Sequence, residues 1–130
     1  MSFDTPHSAQ NRAISNVAAL KVPPHSVDAE QAVLGGLMLD NTEWDNLADV
    51  LIPEDFYRPE HQIIFRVMSQ QSEARSPIDV VTLVESLNSL NELESAGGVE
   101  YLGELTDNAR GTANIHAYAE IIRERAILRR

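Results

Sequence analysis

From residue 26 onward, apolar side chains recur three and four places apart, the spacing of one face of an α-helix. Ser26 or Asp28 stands where a first helix needs its N-cap, and Ala29, Val33, Leu37 and Met38 then fall on one side, widened by Leu34. Gly35-Gly36 interrupts this helix at a cost of about 1 kcal/mol each relative to alanine, which points to another helix approaching closely there. Thr42-Glu43-Trp44-Asp45 reads as a capping box, with Thr42 as cap and Asp45 reaching back. Trp44, Leu47, Ala48 and Leu51 form the next stripe, and Pro53 stops it. Glu54 to Arg58 is a connector whose Phe56 and Tyr57 plug the core. Pro59 suits the first turn of a third helix, lined by Ile64, Val67, Met68 and Gln71 and widened by Ile63 and Phe65. Ser76-Pro77 ends it. Asp79 caps a fourth helix, with Val80, Leu83, Val84 and Leu87 inward. Asn88 to Glu94 is polar and expected to be exposed, and Gly97-Gly98 breaks the chain. A short fifth helix carries Tyr101, Leu102 and Leu105. After a turn over Asn108 to Gly111, Thr112 or Asn114 caps a last helix that runs to Arg130.

No stretch alternates apolar and polar residues long enough to make a strand. The pattern predicts an all-α fold of about six helices, the first five forming a compact bundle. Residues 1–22 are rich in Ser, Asn, Ala and Gln without sustained periodicity and read as a flexible arm; Pro23-Pro24 stiffens the entry to the folded part. The last helix is different. Ile115, Tyr118, Ala119, Ile122 and Ala126 share one side, and it ends in Leu128-Arg129-Arg130 with no Gly, Asn or Pro to stop it, which reads as a cut inside a helix. Two packings are open for its stripe. It docks on the bundle, or Ile115, Tyr118, Ile122 and Ala126 meet another protein with Arg123, Arg125 and Arg129 at the rim of that contact.

Composition narrows the class. A chain of 130 residues makes about one domain, and a hydrophobic fraction of 43% is enough for most of it to fold. The absence of Cys removes disulfide frameworks and thiolate metal sites and makes a cytoplasmic protein the simplest expectation. No apolar run is long enough for a membrane span, and Met1 to Leu20 lacks the pattern of a signal peptide. The net charge of −10 is unevenly spread. Residues 25–109 carry seven Asp and ten Glu against three Arg, whereas residues 110–130 carry five Arg against two Glu. The acidic block repels a phosphate backbone, so strong nucleic-acid binding by it is not expected. It serves solubility, or it faces a basic partner.

Chemistry is hard to place. Lys21 is the only lysine and no glycine precedes Lys-Ser or Lys-Thr, so a phosphate loop is missing. The four histidines, at 7, 25, 61 and 116, never pair at zinc-binding spacing. His61 is read as structural, and His116 with Glu120 as a surface hydrogen bond. Glu120 with Arg123 and Glu124 suits local pairs on the helix. The serines lack a nucleophile elbow, and basic residues do not interleave with aromatics as in single-strand binders. No catalytic, cofactor-binding or metal-binding residue is expected.

Several segments carry a resemblance. They are Val22-Pro23-Pro24-His25-Ser26, the run from Asp28 to Asp40, Asp55-Phe56-Tyr57 with His61 and Ile64-Phe65, and Pro77-Ile78-Asp79 with Thr82-Leu83. Gly97-Gly98, Tyr101-Leu102, Leu105, Ala113-Asn114-Ile115, Tyr118-Ala119 and Ile122-Arg123-Glu124-Arg125 continue them. In order and spacing the chain resembles the N-terminal domain of the hexameric replicative DNA helicases of bacteria, the DnaB family. The resemblance implies a collar domain that packs as a trimer of dimers and docks primase. It further implies a globular head at 23–110 and the first arm of a helical hairpin from 111 to 130, its second arm cut away. The motor of the family is a C-terminal RecA-like ATPase domain, absent from this chain. ATP, Mg and single-stranded DNA would therefore be ligands of the full-length helicase, not of this non-enzymatic piece. The alternative is a stand-alone helical adaptor or regulator, such as a helicase loader, that mimics the collar.

Overall fold

A computed structural model describes residues 22–111 and 114–130. The expected arm, apart from Val22, and the candidate cap Thr112 lie outside the described residues. The described chain is helical, with no strand. It comprises α1 (Val27–Leu39), a 3-10 turn (Asn41–Glu43), α2 (Trp44–Ala48), a second 3-10 turn (Pro53–Asp55), α3 (Pro59–Glu73), α4 (Val80–Ser89), α5 (Gly98–Ala109) and α6 (Ile115–Arg129).

Local chemistry sets most of these boundaries. The Ser26 hydroxyl accepts from Ala29 N–H at 3.2 Å and starts α1, a cap contributing about 1 kcal/mol. Asp79 accepts from Thr82 N–H at 2.8 Å, while Asp79 N–H donates to the Thr82 hydroxyl at 3.0 Å, so α4 begins on a reciprocal cap. Asn114 accepts from Ala117 N–H at 3.2 Å and starts α6. The expected capping box at Thr42 does not form. Asp40 takes that role, accepting from Thr42 N–H at 3.1 Å, because a 3-10 turn comes between α1 and α2.

The core runs through all six helices. Val33, Leu34 and Leu37 of α1 meet Ile64 and Met68 of α3, Leu83 and Leu87 of α4, and Leu102 and Leu105 of α5, each at most 1% exposed. Phe56 and Trp44 bracket Phe65, with ring centroids 5.0 and 5.1 Å away. The loop expected to be polar and exposed is partly drawn in: Leu93 packs against the core, and Ala96 beyond it is fully buried.

The close approach expected at Gly35-Gly36 is present, and α5 is the helix that makes it. A Cβ on Gly35 would lie 2.0 Å from the Leu105 carbonyl oxygen, and one on Gly36 would lie 2.8 Å from Ile115 Cδ1. The helix-breaking pair therefore serves two neighbours, α5 and α6, which both pack on α1. Gly35→Ala should destabilise the fold by several kcal/mol, on the order of an overpacked core site, because the obstacle is backbone. Gly103→Ala, where a Cβ meets nothing within 4 Å, should be neutral or stabilising by up to about 1 kcal/mol. Urea unfolding of the two variants beside the parent chain checks both.

Candidate functional site on the last helix

The described chain brings two polar assemblies together, one inside the bundle and one where α6 meets it. The inner assembly centres on Glu30 of α1, only 1% exposed. Its carboxylate accepts from Tyr57 N–H at 2.7 Å and from Arg58 N–H at 3.4 Å. It also pairs with Nδ1 of the fully buried His61 at 2.7 Å. His61 Nε2 meets the Tyr101 hydroxyl, which accepts from Gln31 Nε2 at 3.2 Å. The proton arrangement that leaves no hydrogen idle has Tyr101 donating to Nε2 and Nδ1–H donating to Glu30. The two rings are stacked, with centroids 5.9 Å apart and planes 7° from parallel. Glu30, His61 and Tyr101 thus tie α1, α3 and α5 to the connector, and every polar group in the tie has a partner. This is a structural role for His61, as its sequence context indicated.

The outer assembly gathers on Asp55, at the end of the second 3-10 turn and 2% exposed. One carboxylate oxygen accepts from Ile52 N–H at 3.0 Å, closing that turn. The other accepts from Arg123 of α6 at 3.2 Å, with Arg130 at 4.0 Å. Arg129 donates to the Asp55 carbonyl at 2.6 Å and to the Pro24 carbonyl at 2.8 Å. Its guanidinium lies 5.5 Å from the Tyr57 ring centroid, and His25 stacks on Tyr57 at 4.0 Å. Arg125 donates to the His25 carbonyl at 3.2 Å. The local pairs expected between Arg123 and Glu120 are replaced by this longer reach. The pairing expected between His116 and Glu120 is likewise replaced, since His116 Nε2 lies 3.1 Å from Glu43.

These contacts locate each residue singled out on the last helix. Ile122 and Ala126 are buried beneath α6, with Ala119 beside them, so within one chain they present no surface of their own. Ile115 is half-buried over Gly36, and Tyr118 opens on a small polar hollow beside Asp28 and Gln31 of α1. Arg123, Arg125 and Arg129 are engaged with the bundle and the segment before it. Of the two packings open for the stripe, the described chain therefore adopts the one on the bundle. The opposite face of α6 is the open one. There Val50, Ala117, Ile121, Ile127 and Leu128, with Glu120, Arg123 and Glu124, line a shallow groove of about 590 Å³. Ile127 and Leu128 are 50% and 61% exposed. The sequence reading passed over this second face because Ile121, Ile127 and Leu128 break the single stripe. Their large apolar side chains on the far side were the available signal.

Among the described residues no helix is long and apolar enough to cross a membrane, and no group of three or more His, Asp or Glu is placed to hold a metal ion. Residues 22–124 match the family model for the DnaB-like helicase N-terminal domain. The chain belongs to the DnaB-like helicase N-terminal domain family. The replicative DNA helicase DnaB of Haemophilus influenzae is 48% identical over 112 residues, covering 86% of this chain and 24% of that protein. The corresponding protein of Geobacillus stearothermophilus is 43% identical over 117 residues, covering 90% and 26%. The chain thus spans about a quarter of the length of these relatives. The crystal structure of the N-terminal domain of the Mycobacterium tuberculosis DnaB helicase superposes with a TM-score of 0.79 at 36% identity, covering 83% of this chain and 78% of that one. The fold is that of the DnaB N-terminal domain, all-helical as the sequence pattern required.

Burial of the Tyr101 hydroxyl raises its pKa above the usual 10.0, with the nearby Glu60 and Glu30 charges adding to the rise. A folded-state pKa above the unfolded one means that this stabilisation is intact below about pH 10 and is lost as pH rises through the folded value. Tyr101→Phe should therefore remove part of the alkaline loss of stability. At neutral pH it should cost about 1–3 kcal/mol, because His61 Nε2 loses its donor. Thermal melts of both chains between neutral pH and pH 11 check the sign.

Proposed function

We propose that this chain is the N-terminal collar domain of a replicative DNA helicase, serving assembly of the hexameric ring and docking of primase. The observation that carries the reading is the match over residues 22–124, together with relatives that are replicative helicases about four times as long. In this reading the full-length protein unwinds duplex DNA, binds single-stranded DNA, and uses ATP and Mg in a C-terminal motor domain. The collar itself performs no catalysis. The head at 23–110 and the helical segment from 111 onward then have separate tasks, the first giving a rigid body and the second giving contacts between subunits.

The open face of α6 supports the assembly role. Val50, Ile121, Ile127 and Leu128 leave a contiguous apolar surface, and such surfaces on a folded chain mark contacts. A copy of the same helix, or a following one, can bury it. Arg123 borders this contact, and Ile122 and Ala126 support it from beneath, while Ile115, Tyr118, Arg125 and Arg129 are turned to the bundle. The acidic surface of residues 25–109 suits a basic partner better than DNA.

Sedimentation of the chain with Ile127→Glu plus Leu128→Glu tests the face directly. Self-association should fall by at least about tenfold, worth roughly 1.4 kcal/mol, while the melting temperature stays near that of the parent, because both side chains are already half-exposed or more. Unchanged association with an intact fold would place the subunit contact elsewhere. Primase docking is tested by calorimetry with the primase C-terminal domain. The chain of 130 residues should bind weakly or not at all, and tight binding would show that these residues are sufficient.

A further inference from the structure

α6 is held to the bundle at three levels. Near its start, Ile115 lies over Gly36 and His116 pairs with Glu43. In the middle, the residues buried on the bundle are Ala119, Ile122 and Ala126, so one isoleucine between two alanines makes the apolar seat. Toward the end, Arg123, Arg129 and Arg130 converge on Asp55, and Arg125 and Arg129 hold the carbonyls of His25 and Pro24. Ile115, Tyr118 and Ile121, partly buried against the core, flank this seat, and the polar hold around Asp55 closes it at the far end. The chain enters α6 through Gly111, which has φ +82 and nothing within 4 Å of where a Cβ would stand.

The charges around Asp55 differ from those of a pair sealed in a core. Its carboxylate is 2% exposed, but Arg123 and Arg130 remain 38% and 61% exposed at the side chain. Solvent and salt reach the cations. The arginines that pair with Asp55 sit on α6 and at its end, at Arg130, so departure of the helix opens the side of the carboxylate that they cover. The usual penalty for breaking a buried pair, an uncompensated charge left in a dry interior, is reduced to that extent. The bond from Ile52 N–H to Asp55 is internal to the 3-10 turn and survives the departure.

We propose that Asp55 is the latch of a lever. Its contacts with Arg123, Arg129 and Arg130 hold α6 against the bundle; when those contacts are screened or broken, α6 pivots at its Gly111 end and uncovers Ala119, Ile122 and Ala126. The two packings that the stripe allows are then two positions of one helix. The latched position hides the stripe, and the released position offers it to another chain. This device rests on the geometry of a single chain and holds whether or not the open face of α6 makes the subunit contact.

The chain has no cysteine, so spin labels can be placed at Glu94→Cys on the bundle and Leu128→Cys on α6, both exposed. Arg123→Ala plus Arg129→Ala alters only α6 side chains and leaves the bundle residues untouched. Asp55→Asn removes the charge but keeps an oxygen for Ile52 N–H. In the parent chain the label-to-label distance should form one population. In both variants a second population should appear, and α6 amides should exchange on the order of tenfold faster while α1 to α5 keep their protection. Raising salt to about 1 M, where the Debye length falls to about 3 Å, should move the parent in the same direction. The latch is overturned if both variants keep the parent distance distribution and α6 protection. It is equally overturned if α1 to α5 loosen as much as α6, since the arginines would then belong to one cooperative core.

Discussion

A single carboxylate inside the bundle organises the connector that everything else leans on. Glu30 accepts hydrogen bonds from the Tyr57 and Arg58 amides and pairs with His61, so its burial is compensated from both the backbone and the side-chain direction. Without it, the stretch between Pro53 and Pro59 would have backbone donors facing an apolar interior. With it, Phe56 drops into the core and Asp55 and Tyr57 are left facing α6. The position of α6 thus depends on a charge on α1 that it does not touch.

The charge distribution follows the same division of labour. The acidic excess lies on residues 25–109 and the basic excess on residues 110–130, so the last helix is drawn to the body of the domain by charge as well as by its alanine and isoleucine seat. Once Arg123, Arg125 and Arg129 are turned inward, the outward face of α6 keeps Glu120, Glu124 and a row of aliphatic side chains. A helix with apolar groups on two sides fits a domain that is a component of a larger assembly, where one side is satisfied within the chain and the other by a neighbour.

The paired glycines of α1 reconcile a local cost with a tertiary gain. Two glycines weaken an isolated helix, but Gly35 lets the backbone of α5 approach where a methyl group would meet the Leu105 carbonyl, and Gly36 leaves space for Ile115. That closeness makes α1 the common neighbour of α5 and α6. That close packing keeps α1, α3 and α5 near enough for the polar chain from Glu30 through His61 to Tyr101 to bridge them.

The order and type of the helices, the cap at Asp79, most of the inward stripes and the close approach at Gly35-Gly36 were legible in the amino-acid sequence, whereas Ser26 and Asn114 were each one of two candidate caps and Ala48, read as inward, is exposed. Each depends on residues three or four apart or on the conformational needs of one position. The cap at Asp40 was missed because a single 3-10 turn shifts the start of α2, a difference too small for periodicity to register. The partners of Asp55, Glu30 and His116 were not legible at all. They lie 68 and 74 residues away for Asp55, 27 to 31 for Glu30, and on a different helix for His116, and no local pattern selects among so many acidic and basic side chains. The packing of the last stripe was left open for the same reason. Its apolar side fits the bundle or another chain equally well as a pattern, and contacts far apart in the sequence, Ile115 over Gly36, Ala119 and Ile122 in the core and the arginines around Asp55, place it on the bundle.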